Sequence, residues 1–258
     1  MAAALIGGML QQGVSKAEMR VIDVSAPART RFTEMGIAAH DRWDDRTGAD
    51  VVVFAVKPQH MKEAVAEVRS RCGTALVISI AAGIRCDDIE RWLGGHGRIV
   101  RVMPNTPALI GAGISGMFAT AAVGPDERQT AEKIIGATGK SIWFERETLL
   151  DAVTAVSGSG PGYVFYLIEA LEEAALALGL DAQAARLLAI ETFLGAAKLA
   201  ASSDDSPAVL RAKVTSKGGT TESALAFMES EHVGSLIVEA VKRAGERARE
   251  LGDEFGHD

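Results

Sequence analysis

Asp50-Val-Val-Val-Phe-Ala-Val-Lys-Pro58 decides how this chain is built. The apolar run from Val51 to Val56 is unbroken and rich in valine. A strand with one wet face would alternate apolar and polar residues. A continuous run suits a parallel strand covered on both faces. Lys57-Pro58 then stops it. The pattern recurs downstream. Thr74-Ala-Leu-Val-Ile-Ser-Ile80 ends in Ala81-Ala-Gly83, and Arg98-Ile-Val-Arg-Val102 ends in Met103-Pro-Asn-Thr-Pro107. Helical patterns separate these runs, at 59–71 and up to Leu93, where Asp87 and Glu90 have capping-box spacing. Upstream, Arg20-Val-Ile-Asp-Val24 reads as a strand, and Ala26 to Met35 as a helix closed by Gly36. Downstream lie a segment at 112–119, a helix at 126–137 and a strand at 140–144. Alternating strands and helices predict an α/β fold, a Rossmann-like doubly wound parallel sheet.

After about residue 147 the strand patterns stop and long Ala/Leu helices begin. Helix 161–178 carries a stripe from Val164 to Leu178 at helical spacing. Helix 182–201 is apolar on nearly every side. Such a helix is covered either by its own domain or by a second subunit, and the second reading predicts at least a dimer. Ser206-Pro207 opens a further helix. The last helix is predicted over 232–251, with Val233, Leu236, Ile237, Ala240, Val241, Ala244 and Leu251 inward. The chain therefore divides into a dinucleotide-binding domain, 1–146, and an all-α C-terminal domain, 147–258.

The formal net charge of −7 and the lack of basic clusters argue against a nucleic-acid surface. Cys72 and Cys86 fit no metal or redox spacing, and the histidines are scattered, so no metal site is expected. The apolar start lacks a positive leader, and no run of about 18 apolar residues exists, so no membrane segment is expected. These features predict a cytoplasmic protein.

In open parallel sheets ligands bind beyond the carboxyl ends of the strands. Three successive ends carry prolines or small residues: Ala55-Val-Lys-Pro58, Ala81-Ala-Gly83 and Pro104-Asn-Thr-Pro107. Together they predict a dinucleotide site. A Rossmann unit opens with a strand and a G-x-G-x-x-G/A turn. This sequence opens directly in what reads as the helix that follows them. A sheet without that strand should show a gap between neighbours. Asp23 can bond ribose hydroxyls and would repel a 2′-phosphate, favouring NADH, while Arg29 could offset its charge.

The stretch Val214-Thr-Ser-Lys-Gly-Gly-Thr-Thr-Glu-Ser-Ala-Leu225 is the second candidate site. Gly218 and Gly219 permit a tight turn, and the following helix start supplies N–H donors to an anion. A plain glycine loop capped by threonine is the competing reading.

Ala55-Val-Lys-Pro58, Val102-Met-Pro-Asn-Thr-Pro107, Val156-Ser-Gly-Ser-Gly-Pro161 with Tyr163, and Val214 to Thr221 together resemble pyrroline-5-carboxylate reductase. The resemblance runs from Met1 to about Leu251. It implies reduction of the cyclic imine 1-pyrroline-5-carboxylate to L-proline by NADPH or NADH, the last step of proline biosynthesis. It also implies a homodimer or larger homo-oligomer. By resemblance, Thr221 bonds the ring nitrogen, and Ser216, Gly218, Gly219 and Thr220 grip the substrate carboxylate. Ser157 and Ser159 form the floor of the site; Ser159 also reads as a helix cap. Ala55, Val56, Lys57, Pro58, Ala81, Ala82 and Gly83 line the cofactor, with Asn105 nearby. Lys213 departs from the asparagine common in the family, and Glu147 also reads as a solvated acid at a helix start. A hydroxyacid dehydrogenase of similar plan would need a lysine after the domain boundary, yet none lies between Lys140 and Lys198. The remaining alternative is a catalytically impaired fragment that only associates through its helical domain.

Overall fold

This computed structural model describes residues 1–43 and 48–256. Contacts group them into two compact units, Met1–Ser159 with Ala244–Asp258, and Gly160–Arg243.

The first unit runs through α1 (Ala2–Gln11), β1 (Arg20–Ile22), α2 (Ala26–Glu34), β2 (Ala38–His40), β3 (Val51–Phe54), α3 (Met61–Val68), β4 (Leu76–Ser79), α4 (Cys86–Trp92), β5 (Ile99–Met103), β6 (Gly113–Ala119), α5 (Pro125–Gly136), β7 (Gly139–Trp143) and α6 (Leu149–Val153). Strands β3 to β7 pair in sequence order. The ladders from β3 to β5 are parallel, β5 and β6 are antiparallel, and β6 and β7 are parallel. The reversal at β6 has a simple cause. Between Met103 and Gly113 there is only a 3-10 turn, Thr106–Ile110, too short for the crossover that a parallel return needs.

Both faces of β4 are covered, as its unbroken apolar run requires. Val77 packs with Val52, Met61, Val65, Ile84 and Ile89 on the α3/α4 side. Ile78 packs with Leu5, Val100, Met117 and Ile135 on the α1/α5 side. Helices on both faces make the sheet doubly wound.

The sheet is in two pieces. β1 pairs with β2 alone, and β3 pairs with β4 and with no other described strand. This is the expected gap between neighbouring strands. Helix α1 serves both pieces. Leu5 is buried in the core under β4 and β5, whereas its neighbour Ile6 is buried with Phe32 and Ile37 beside β1 and β2.

The second unit comprises α7 (Gly160–Ala177), α8 (Ala182–Ala201), α9 (Pro207–Lys213), α10 (Thr220–Ser230) and the first part of α11 (Val233–Gly256). Asp181 caps α8 through a 2.8 Å bond from Ala184 N, and Ser206 caps α9 with Pro207 in first position. Within Gly160–Arg243 only Ala185 and Ala189 are buried. The stripes read as inward-facing are therefore open in the single chain: Leu236 is 64% and Leu178 84% exposed. A few helices cannot bury apolar faces on more than one side, so these faces need a further layer.

Two local expectations need correction, and two further elements carried no expectation. The Asp87/Glu90 capping box does not form: α4 has Arg85 as N-cap, without a side-chain cap, and Cys86 N donates to Glu147, distant in sequence. Ala38–His40 forms a strand although its residues favour strands little. Residues 149–158, to which no element had been assigned, are helical. Finally, α11 runs past 251, and its end belongs to the first unit, where Asp253 pairs with Arg85 at 2.6 Å.

Candidate active site

Parallel pairing places three predicted segments at one edge of the sheet. The register Phe54↔Ser79 and Ser79↔Arg101 aligns β3, β4 and β5, so the residues after them emerge side by side. Ala55 and Val56 are half-buried, Lys57 is exposed, and Pro58 opens the 3-10 turn Pro58–His60. The Ala81–Gly83 turn is tied back by Ile80 N donating to Phe54 O at 3.0 Å. Behind it, Leu251 and Phe255 of α11 pack against Gly83. Asn105 is buried, and its Oδ1 accepts from Ile114 N at 3.0 Å. Its amide hydrogens have no partner among the described residues, leaving two donors.

At the end of β1, Asp23 Oδ1 accepts from Ser25 N at 2.8 Å. Arg29 does not pair with that carboxylate. Its Nη1 donates instead to the carbonyls of Asp23 and Val24, at 2.8 and 2.9 Å.

Ser157 lies in a π-helical turn, Thr154–Gly158, that prolongs α6. Such bulges are frequent at functional sites. Ser157 Oγ donates to Val153 O at 3.0 Å, and Ser159 N donates to Thr154 O at 2.8 Å. A Cβ on Gly158 would meet the methyl end of Met103, at the end of β5, which would have to move aside. Sequence inspection missed what anchors this segment. Arg101 of β5, with a side chain 5% exposed, donates to Glu147 Oε1 at 2.9 Å and lies 3.7 Å from Asp151 Oδ1. The signal was present: a cation inside the apolar run Ile99–Val102 must find an acid partner when buried. Burial and the neighbouring Glu147 push the Cys86 thiol far up, so it stays neutral there.

In the second unit, Gly218 adopts φ +73°, the left-handed turn that glycine permits. Gly219 is the N-cap of α10 and brings no side-chain cap. A Cβ on Gly219 would lie 2.6 Å from Ser216 Oγ, so the turn is too tight for a larger residue. The first-turn N–H groups of Thr220 and Thr221 thus lack an intrahelical partner at the positive end of the helix dipole. Glu222 Oε2 accepts from Gly218 N at 2.6 Å. Ser216, Gly218, Gly219, Thr220 and Thr221 come together in this one turn. Lys213 is instead engaged with Asp205.

Residues 147–251 match the family described as pyrroline-5-carboxylate reductase dimerisation. A pyrroline-5-carboxylate reductase of Pseudomonas aeruginosa is 42% identical over 99% of this chain and 95% of its own. The chain belongs to the pyrroline-5-carboxylate reductase family. A solved member from Coxiella burnetii has 40% identity and a TM-score of 0.90, covering 97% of this chain and 94% of its own. Another, from Plasmodium falciparum with NADP bound, is 26% identical with a TM-score of 0.84, over 97% and 94% of the two chains. Residues 1–83 also match a family described as NADP oxidoreductase, coenzyme F420-dependent. The Rossmann-like reading of the first half and the helical reading of the second both stand.

Among the described residues no cluster of three His, Cys, Asp or Glu could hold a metal, and no helix is long and apolar enough to cross a membrane.

Proposed function

We propose that this chain reduces 1-pyrroline-5-carboxylate to L-proline with NADPH or NADH. The P. falciparum relative has NADP bound. The observation that carries the substrate reading is the uncapped start of α10 behind Gly218-Gly219. A small imine bearing a carboxylate needs such a cradle: N–H donors fixed in space and a favourable dipole.

The chain's own residues fit the cofactor. Ala55, Val56, Pro58, Ala81, Ala82 and Gly83 present small or flat surfaces at adjacent strand ends, where a dinucleotide can approach the backbone. Lys57 adds a cation and Asn105 adds amide donors. Asp23 is an acceptor for ribose hydroxyls. When bound, NAD(P)H supplies the hydride that reduces C5 of the imine.

Ser216, Gly218, Gly219 and Thr220 grip the carboxylate. The Thr221 hydroxyl bonds the ring nitrogen as imine becomes amine. Ser157 and Ser159 form the floor. A protonated imine already accepts hydride well, so no strong general acid is required, and orientation supplies most of the rate.

The helical part, 147–258, carries substrate binding and self-association, and the open apolar faces of α7, α8 and α11 support a homodimer or larger assembly. Free, buried Cys72 and Cys86 suit the reducing cytoplasm.

The experiment is direct. Purified protein is mixed with pyrroline-5-carboxylate and NADPH or NADH, and nucleotide oxidation is followed. Proline formation supports the reading. No oxidation at millimolar cofactor favours the impaired fragment.

A further inference from the structure

A buried charge cluster joins three segments of the first unit's proposed site. Arg101 lies on β5, and Asn105 follows at that strand's end. Its guanidinium donates to Glu147 Oε1 at 2.9 Å. The same oxygen accepts from Cys86 N at 2.8 Å. Cys86 opens α4 and follows shortly after the Ala81–Gly83 turn. Asp151, 3.7 Å from Arg101, sits in α6, which leads into the π-helical turn holding Ser157. Glu147 and Asp151 are each 18% exposed.

Stability alone explains this poorly. Buried ion pairs often contribute no more than apolar residues of equal size, and some are retained because they fix one arrangement. The arrangement fixed here is that of three segments separate in sequence. The contact of Gly158 with Met103 shows how closely two of them meet. Resting on the function proposed above, we infer that Glu147 is a positioning residue. Through Arg101 and the Cys86 N–H, it sets the spacing of the Ala81–Gly83 turn against the Asn105 strand end, and so the fit of the dinucleotide.

Steady-state kinetics with NAD(P)H and pyrroline-5-carboxylate test this in three variants. Glu147→Ala is expected to raise the KM for NAD(P)H about tenfold, since displacements near 1 Å can cost up to about 100-fold in rate. The substrate KM should change less than the cofactor KM, because the proposed carboxylate grip is in the other unit and only the Ser157 floor is linked to the cluster. Glu147→Gln keeps the length and an acceptor for Cys86 N, so it should recover most of that loss. Val65→Ala, in the α3 core, is the control for destabilisation alone and should leave both KM values unchanged. If Glu147→Ala does not fold, the Gln variant is read by itself against Val65→Ala, with about a threefold rise in cofactor KM expected. An unchanged cofactor KM in folded variants overturns the inference, as does an equal rise in Val65→Ala or a change confined to the substrate KM. A wild-type chain that does not turn over at all overturns the proposed function instead.

Discussion

The Gly218 N–H donates to the Glu222 carboxylate at 2.6 Å, so an anion of the chain itself already sits on the turn assigned to the substrate's carboxylate. Two negative charges a few ångströms apart in a solvated site repel by about 1 kcal/mol. Glu222→Gln keeps an acceptor for Gly218 N and removes the charge. The KM for pyrroline-5-carboxylate should fall about threefold to fivefold, and the gain should shrink as salt rises. A KM that rises or ignores salt would place the carboxylate elsewhere.

Thr221 is assigned the hydrogen bond to the ring nitrogen. Removing one such bond, worth about 1.4 kcal/mol, corresponds to about tenfold in rate. Thr221→Ala should lower kcat by about that factor with little change in cofactor KM, and Thr221→Ser should restore it. Unchanged kcat in the alanine variant removes Thr221 from the chemistry.

Cofactor preference should lie with NADH. The Asp23 carboxylate lies beside the β1 end, and the contacts of Arg29 are with backbone carbonyls and not with that carboxylate. A 2′-phosphate would meet the acid directly. Asp23→Ser should shift the ratio of kcat/KM for NADPH over NADH upward by about tenfold. A wild-type preference for NADPH, or no shift in the variant, would show that Asp23 does not face the ribose.

The leucines of α8 should be covered in solution. Leu187 is 60% and Leu188 54% exposed in the single chain. Light scattering should give at least twice the 27.1 kDa chain mass. Converting both leucines to aspartate should weaken association by about 30-fold or more, the effect of losing one central contact of an interface. A monomeric wild type would leave those faces unexplained.

Much of this was legible in the residues, for identifiable reasons. Continuous apolar runs announced β3, β4 and β5 because burial on both faces leaves no alternation. Ser206-Pro207 announced α9 because a cap and a proline act locally. What escaped depended on distant partners. Ala38–His40 is a strand only because β1 lies beside it. The start of α4 is capped by Glu147 rather than by its own Glu90. The stripe of α11 suggested an inward face, whereas Leu236 and Ile237 are open in the single chain. The glycine loop could be read as an anion cradle, but the Glu222 carboxylate on it could not, since nothing in the spelling aims that side chain at Gly218.

The division of the sheet leaves α1 as the element packed against both pieces. β1 is held to β2 by three residue pairs, and Leu5 and Ile6 of α1 carry the packing from one piece of sheet to the other. No backbone ladder among the described residues continues from β1 to β3. Leu5 and Ile6, adjacent on α1, are thus a packing link between the two described pieces of sheet. Asp23 follows β1 in the smaller piece. On the proposed function, a nucleotide reaching from Asp23 to the β3–β5 strand ends would touch both pieces, so the packing of α1 against each would bear on how it is held.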